Sequence, residues 1–179
     1  MDARVPRARR DVVRWRRCRP GYAFLIKLVL SALGLTMVTV IIHGVGTVAA
    51  TGRVARLWAG GKDRRGRLGA ELLIAQLVSM LLLLHLAEAV VWALFFVLVG
   101  GLPDVESAAY FSLASYTTVG YGDVVLPEPW RLLGPIEATV GVLMLGWSTG
   151  ILVTVIGVLY GQLFPSLKSP ARWSVGGRE

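Results

Sequence analysis

Three apolar runs, each long enough to cross a lipid bilayer as a helix, dominate this chain. They extend over residues 22–50, 72–99 and 132–164. A hydrocarbon core about 30 Å thick requires about 20 apolar residues in helical form, and each run meets that length. Because 55% of the residues are hydrophobic and only 17% are charged, the composition excludes a disordered chain and an ordinary soluble enzyme.

The net charge of +8 is concentrated beside the apolar runs. Residues 1–21 form a basic tail, residues 51–71 a basic loop that we expect in the cytoplasm, and residues 165–179 a short cytoplasmic tail. This arrangement is typical of membrane topology rather than of nucleic-acid binding. We therefore expect no nucleic-acid partner, and we expect the basic loop to contact anionic lipid headgroups.

The segment between the second and third apolar runs predicts a re-entrant hairpin. Asp104 is a favourable N-cap, and residues 107–116 can form a helix of about three turns, too short to span a bilayer. Residues 117–123, with the sequence TTVGYGD, follow neither a helical nor a strand period. A non-helical backbone at membrane depth is tolerated only where protein buries it or where it lines a water-filled path, so this hairpin indicates a pore.

The TTVGYGD motif resembles the selectivity-filter signature of potassium channels, and the resemblance covers residues 72–164 as an outer helix, pore helix, filter and inner helix. It implies an all-α membrane protein with three transmembrane segments, a re-entrant pore helix and a filter loop. One chain supplies one filter strand, so a homotetrameric pore is expected. The implied function is passive, potassium-selective conduction across a cell membrane, of the bacterial inner-membrane type. No catalytic constellation is evident, so we predict neither enzymatic activity nor a cofactor other than bound K⁺.

The resemblance also assigns the ion-binding residues. The carbonyl groups of Thr118, Val119, Gly120 and Tyr121 are expected to form stacked oxygen rings that replace the hydration shell of K⁺, and the Thr118 hydroxyl adds the lowest ring. Gly120 and Gly122 supply the backbone freedom that this arrangement needs at alternate positions.

Four further residues are candidates for supporting the filter. Thr117 and Asp123 flank it, and many bacterial relatives place a carboxylate where this chain has Ala114. Tyr110 is expected either to hydrogen-bond to Asp123 or to serve as an aromatic anchor at the membrane interface. Glu137 is interpreted either as a first-turn acid stabilised by the helix dipole or as a carboxylate behind the filter that replaces the missing one.

His85 and Glu88 lie three residues apart within the second run and therefore share a helix face. Three interpretations are open: a mutually satisfied pair that holds helices together, a proton sensor in gating, or a metal site to which His43 could add a third ligand.

The third apolar run contains glycines at positions expected to control the inner gate. Gly146 and Gly150 lie near the level of a hinge, whereas Gly157 and Gly161 share a face near the cytoplasmic end. If that face points to the pore axis, the helix crossing has no side chain to close it. Alternatively, these small residues allow two helices to pack closely.

Topology and function both leave alternatives open. The pore mouth, residues 100–130, carries acidic residues without Lys or Arg and is expected outside. If residues 22–50 cross the membrane, as we favour, the N-terminal arginines lie outside as well; a segment that dips in and returns, or lies along the interface, would keep them inside. The alternative functions are a non-conducting or modulatory subunit of another channel or of a potassium transporter, and a membrane anchor acting through the basic loop.

Overall fold

The computed structural model describes residues 21–61 and 66–164. Expectations about the tails at residues 1–20 and 165–179 therefore lie outside the described residues. Within the described ranges, all regular secondary structure is helical and there is no strand. The four helices are α1 (Tyr22–Gly61), α2 (Arg67–Leu98), α3 (Val105–Tyr116) and α4 (Leu133–Leu163).

Helices α1, α2 and α4 are each long and apolar enough to cross a membrane. The protein is thus a multi-pass membrane protein, and the prediction of an all-α fold with three spans is confirmed. Helix α3, which has 12 residues, is the short fourth helix that the pore hairpin requires. It lies between the end of α2 and the start of α4 in the chain.

Helix α1 is longer than the apolar run that predicted it. Residues 51–61, which we assigned to the basic loop, continue the helix to Gly61, and α2 already begins at Arg67. The cause is tertiary packing: Val54 and Trp58 are buried against α2 and the end of α4. The Trp58 indole Nε1 also donates a hydrogen bond of 2.7 Å to Gln162.

The two ends of α1 contact opposite ends of α4. Near its start, the Phe24 ring lies 5.2 Å from the ring of Trp130, which precedes α4. Near its end, Trp58 bonds to Gln162 in the last turn of α4. Helix α1 therefore runs alongside α4 in the same direction as one continuous helix. A segment that dips in and returns is excluded for residues 22–61, and α1 begins at the end of the bundle nearest the pore helix.

The break between α2 and α3 follows the predicted signals. Gly100 has φ +67°, a left-handed conformation that glycine adopts without penalty, and it ends the helix just after Leu98. The Asp104 side chain accepts a hydrogen bond of 2.8 Å from the Ser107 backbone N–H, confirming the predicted N-cap. Helix α3 begins at Val105, two residues before the predicted start.

Aromatic packing holds α3 against α2. The rings of Phe96 and Phe111 meet edge to face with centroids 5.4 Å apart, and Trp92 is fully buried beside them. Such aromatic contacts add about 0.5–1.5 kcal/mol per pair beyond the burial of their area. The pore helix is therefore fixed to the outer helix before the filter begins.

Candidate functional site

The backbone of the TTVGYGD segment alternates in conformation. Positive φ angles occur at Thr118 (63°), Gly120 (52°) and Gly122 (81°), whereas the residues between them have negative φ. This alternation is the pattern that directs successive carbonyl groups toward one side of a strand. No atom lies within 4 Å of a Cβ built on either glycine. Conformation rather than space therefore requires glycine at these two positions.

Thr118 is the unexpected member of this alternation. It is the single non-glycine residue with positive φ in the described part of the chain. A β-branched side chain in the left-handed region is strained by about 1–3 kcal/mol, and such strain is found at functional sites. We predicted the need for unusual backbone angles only at the glycines, because residue type signals it there and not at a threonine.

Hydrogen bonds attach the start of the filter to the last turn of α3. The Thr118 N–H donates to the Ser115 carbonyl at 2.9 Å, and the Gly120 N–H donates to the Ala114 carbonyl at 3.0 Å. The Thr117 hydroxyl donates to the carbonyl of Leu113 at 2.6 Å. Any displacement of the end of α3 is therefore transmitted directly to the filter.

The outer end of the filter is held by Tyr110. Its hydroxyl donates a hydrogen bond of 2.8 Å to Asp123, in agreement with one of its two interpretations, and its ring stacks on Tyr121 with centroids 6.2 Å apart. The hydrogen bond from Tyr110 holds the pKa of Asp123 below its ordinary value of 3.8. The same bond raises the pKa of Tyr110 above its ordinary 10.0.

Glu137 does not occupy the first of its two expected environments, and its role as a carboxylate behind the filter stays a prediction. It lies after the first turn of α4, so the interpretation as a first-turn acid is wrong. Its side chain is fully buried, and neither carboxylate oxygen nor the Ser112 hydroxyl has a hydrogen-bond partner among the described residues. Asp123 instead bonds to Tyr110 and to the Val124 backbone N–H.

Five polar side chains from all four helices meet beside the end of the pore helix. His43 Nδ1 lies 2.9 Å from Glu88 Oε1, and the Tyr116 hydroxyl donates a hydrogen bond to Glu88 Oε2. His85 contacts Tyr116 at 3.2 Å and Ser148 at 3.0 Å, and Ser148 lies 3.4 Å from His43 Nε2. We call this closed set of contacts the Glu88 ring.

The ring modifies the expected pairing of His85 with Glu88. These two residues are 3.5 Å apart, but the closer partners of Glu88 are His43 and Tyr116. The metal interpretation retains a geometric basis, since one ligand atom each of His43, His85 and Glu88 lies within 4.8 Å of the others. However, each of these atoms already has a hydrogen-bond partner.

Sequence reasoning missed Tyr116 and Ser148 as ring members, and it considered His43 only as a metal ligand. A signal for the buried face of α1 was present: Thr39, His43 and Thr47 recur every four residues in an otherwise apolar helix. All three are buried, and the Thr39 hydroxyl accepts a hydrogen bond of 3.0 Å from the Trp92 indole. Polar residues at helical spacing in a membrane span indicate a face turned toward protein.

The glycines of α4 differ sharply in their surroundings. A Cβ added to Gly146, Gly150 or Gly157 would meet no atom within 4 Å. A Cβ on Gly141 would instead overlap the backbone carbonyl oxygen of Tyr116. Helix α4 runs unbroken through Gly146, Gly150, Gly157 and Gly161. The close packing therefore occurs at Gly141, near the filter, and the hinge and gate assignments of the other four stay predictions.

Comparison with known proteins found a similar family for the central part of the chain. Residues 80–158 match a protein family described as ion channel. No curated protein and no solved structure showed similarity to the chain. The matched segment contains most of α2, all of α3, the TTVGYGD loop and most of α4. Over these residues, which make up less than half of the chain, the protein is similar to the ion channel family.

Proposed function

We propose that this protein is a potassium-selective channel that conducts K⁺ passively through a pore built from four identical chains. The observation that carries the proposal is the alternating backbone of the filter motif at the end of a short, anchored helix. Carbonyl groups of Thr118, Val119, Gly120 and Tyr121 would replace the water around a dehydrated K⁺. No cofactor or catalytic step is needed for such conduction.

The surroundings of the filter support assembly from several chains. One strand cannot enclose an ion, whereas strands from four chains complete the oxygen rings. In the single chain, the side chain of Val119 is 53% exposed and that of Tyr121 is 71% exposed. Large apolar side chains exposed beside a functional loop indicate a surface that another protein chain covers.

The charge distribution supports an orientation in a cell membrane, which we propose to be a bacterial inner membrane. Arg53 and Arg56 are exposed near the end of α1, far from the filter, and the exposed Arg67 pairs with Glu71 at 2.9 Å. We place this basic end in the cytoplasm, where each exposed cation gains about 1 kcal/mol near anionic headgroups. The filter and the start of α1 then face outward.

Flux measurements on the purified chain test the proposal. In liposomes that contain only this protein, we expect K⁺ efflux down its gradient, with a reversal potential set by K⁺ rather than by Na⁺. An assembled protein that passes no ions would instead indicate a non-conducting or modulatory subunit. A reversal potential that depends on a second ion would indicate a subunit of a coupled transporter.

Replacing Tyr110 with phenylalanine should weaken the outer end of the filter. The variant keeps the ring stacked on Tyr121 but loses the hydrogen bond to Asp123, so we expect conduction to decay faster during sustained K⁺ flux. The bond is present above the ordinary pKa of Asp123, 3.8, and is lost as pH falls through the lowered value. Since the pKa of Tyr110 is raised above 10.0, the bond is also retained up to that pH.

The difference between the Tyr110→Phe variant and the wild type should therefore stay constant between these two pH values. Tyr22→Phe is the matched control, because Tyr22 is 89% exposed at the start of α1. A stable filter in Tyr110→Phe would contradict the supporting role of the hydrogen bond.

Gly157→Leu tests whether the lower part of α4 faces the pore axis. A Cβ added at Gly157 lies in open space within its own chain, so the fold of the single chain should tolerate a larger residue. We expect a current reduced by about tenfold or newly gated in a protein that is still assembled, because a bulky apolar ring promotes dewetting. The control is Val158→Leu at the next, also exposed position. Loss of assembly in Gly157→Leu would indicate helix packing instead.

A further inference from the structure

The side chains of the Glu88 ring make more contacts than they have hydrogens to donate. Five contacts close it: Glu88 with His43 and Tyr116, Ser148 with both histidines, and His85 with Tyr116. Each contact requires one hydrogen. An ionised Glu88 contributes none, whereas two neutral imidazoles, one phenol and one hydroxyl contribute one each. These side chains are therefore one hydrogen short of closing the ring.

One added proton supplies the hydrogen that the fifth contact lacks. The added proton lies between Glu88 and His43, on either of the two. His43 then donates to Ser148, Ser148 to His85, His85 to Tyr116, and Tyr116 to Glu88. The ring is then neutral overall, which suits the interior of a membrane protein. Without the proton, the ring carries a buried negative charge and one contact lacks a hydrogen, and both features are costly away from water.

We propose that the Glu88 ring is a binding site for one exchangeable proton, and that the bound proton fixes Tyr116 and thereby the filter. This inference rests on the proposed channel function. Tyr116 is the last residue of α3, its carbonyl oxygen lies against Gly141, and the filter motif begins at the next residue. Tyr116 is thus a positioning residue that acts on the filter through Thr117 and Thr118.

The proposal predicts the sign of a pH effect. Loss of the proton leaves the ring open at one contact, so the helices that hold Tyr116 through the ring are joined less firmly. The hydrogen bonds from Thr118 and Gly120 then attach the filter to a helix end that is held less firmly. Conduction should therefore fall as the pH rises.

Each of the four helices around the Glu88 ring contributes a polar group to it. Helix α1 contributes His43, α2 contributes His85 and Glu88, and α3 contributes Tyr116. The ion pairs of Glu88 within the described helices are with the two histidines. Helix α4 contributes Ser148, and its buried carboxyl, Glu137, lies about one turn before Gly141, which packs against Tyr116. Titration of Glu137 is therefore the alternative explanation for any pH effect that acts through Tyr116.

Glu88→Gln is the decisive variant, because a carboxamide closes the ring without an added proton. Its oxygen accepts from Tyr116 and its N–H donates to His43, so all five contacts form with both imidazoles neutral. We expect wild-type K⁺ flux in liposomes to fall about tenfold between about pH 5 and about pH 9, as expected for the loss of one buried hydrogen bond. The flux of Glu88→Gln should vary with pH by less than about twofold.

Matched variants separate the ring from other carboxyls. Glu71→Gln alters an exposed carboxylate of the same helix and should keep the wild-type pH profile. Glu137→Gln should keep the decline with pH as well. An assembled Glu88→Gln channel with the wild-type profile would overturn the proposal, and so would a profile that Glu137→Gln alone removes. A pH effect that disappears on addition of EDTA would show a divalent metal at these ligand atoms and would also overturn it.

Two measurements keep the proposal testable if Glu88→Gln fails to assemble or if the protein does not conduct. Tyr116→Phe cuts the link between the ring and the pore helix, and its flux should lose the pH dependence. NMR of the assembled protein with ¹⁵N-labelled histidine follows proton release from the ring without any flux. Normal proton release in a protein that passes no ions would contradict only the channel function, whereas histidine signals that do not change between about pH 5 and about pH 9 would contradict the ring site.

Discussion

Replacing Gly120 or Gly122 with alanine should abolish potassium conduction. Both residues have positive φ, 52° and 81° respectively. An L-alanine there costs about 1–2 kcal/mol per chain, and a four-chain pore incurs that cost four times. Relaxation of the backbone to negative φ would turn a carbonyl away from the axis and remove an oxygen ring. We expect a loss of K⁺ flux of at least about 100-fold, measured in liposomes.

The open space around both glycines makes this prediction specific to backbone conformation. An added methyl group would meet no atom of its own chain beyond the adjacent residues, so each variant chain should still fold. Gly100→Ala is the matched control: Gly100 has φ +67° and equally open surroundings, but it lies at the end of α2. It should lower thermal stability while K⁺ selectivity persists. Normal current in Gly120→Ala or Gly122→Ala would contradict the filter assignment.

The positions of the helices could be predicted from the sequence because they depend on local signals. Runs of apolar residues marked the spans, Asp104 marked the start of α3, and Gly100 marked the end of α2. The end of α1 could not be predicted in this way. Arg53 and Arg56 suggested a loop, whereas the contacts of Val54 and Trp58 with α2 and α4 extend the helix.

The Glu88 ring could not be predicted for a related reason. In all five contacts of the ring, the two members are separated by 28 to 105 residues along the chain. Spacing on one helix predicted that His85 and Glu88 share a face, but it could not supply Tyr116 or Ser148. Only the packing of four helices brings these groups together beside the filter.

Gly141→Ala should have the largest structural effect of any single methyl addition in α4. Gly141 is buried, and the new Cβ would overlap the Tyr116 carbonyl oxygen and lie close to its carbonyl carbon and ring. Unlike a flexible side chain, this backbone cannot move aside, since hydrogen bonds attach the end of α3 to the filter. Overpacking of this kind costs about 1–3 kcal/mol or more per chain.

We expect Gly141→Ala to lower the thermal stability of the assembled protein and to eliminate K⁺ flux, because α4 and the pore helix must separate to admit the methyl group. Gly146→Ala and Gly150→Ala are the matched controls, one and two to three turns further along the same helix with open space at the Cβ. Alanine favours a helix over glycine by about 1 kcal/mol, so the controls should be at least as stable as the wild type. Equal stability of all three variants would show that α4 does not pack against Tyr116 through Gly141. The contrast among three glycines of one helix thus separates the steric effect at the filter from the general effect of removing a glycine.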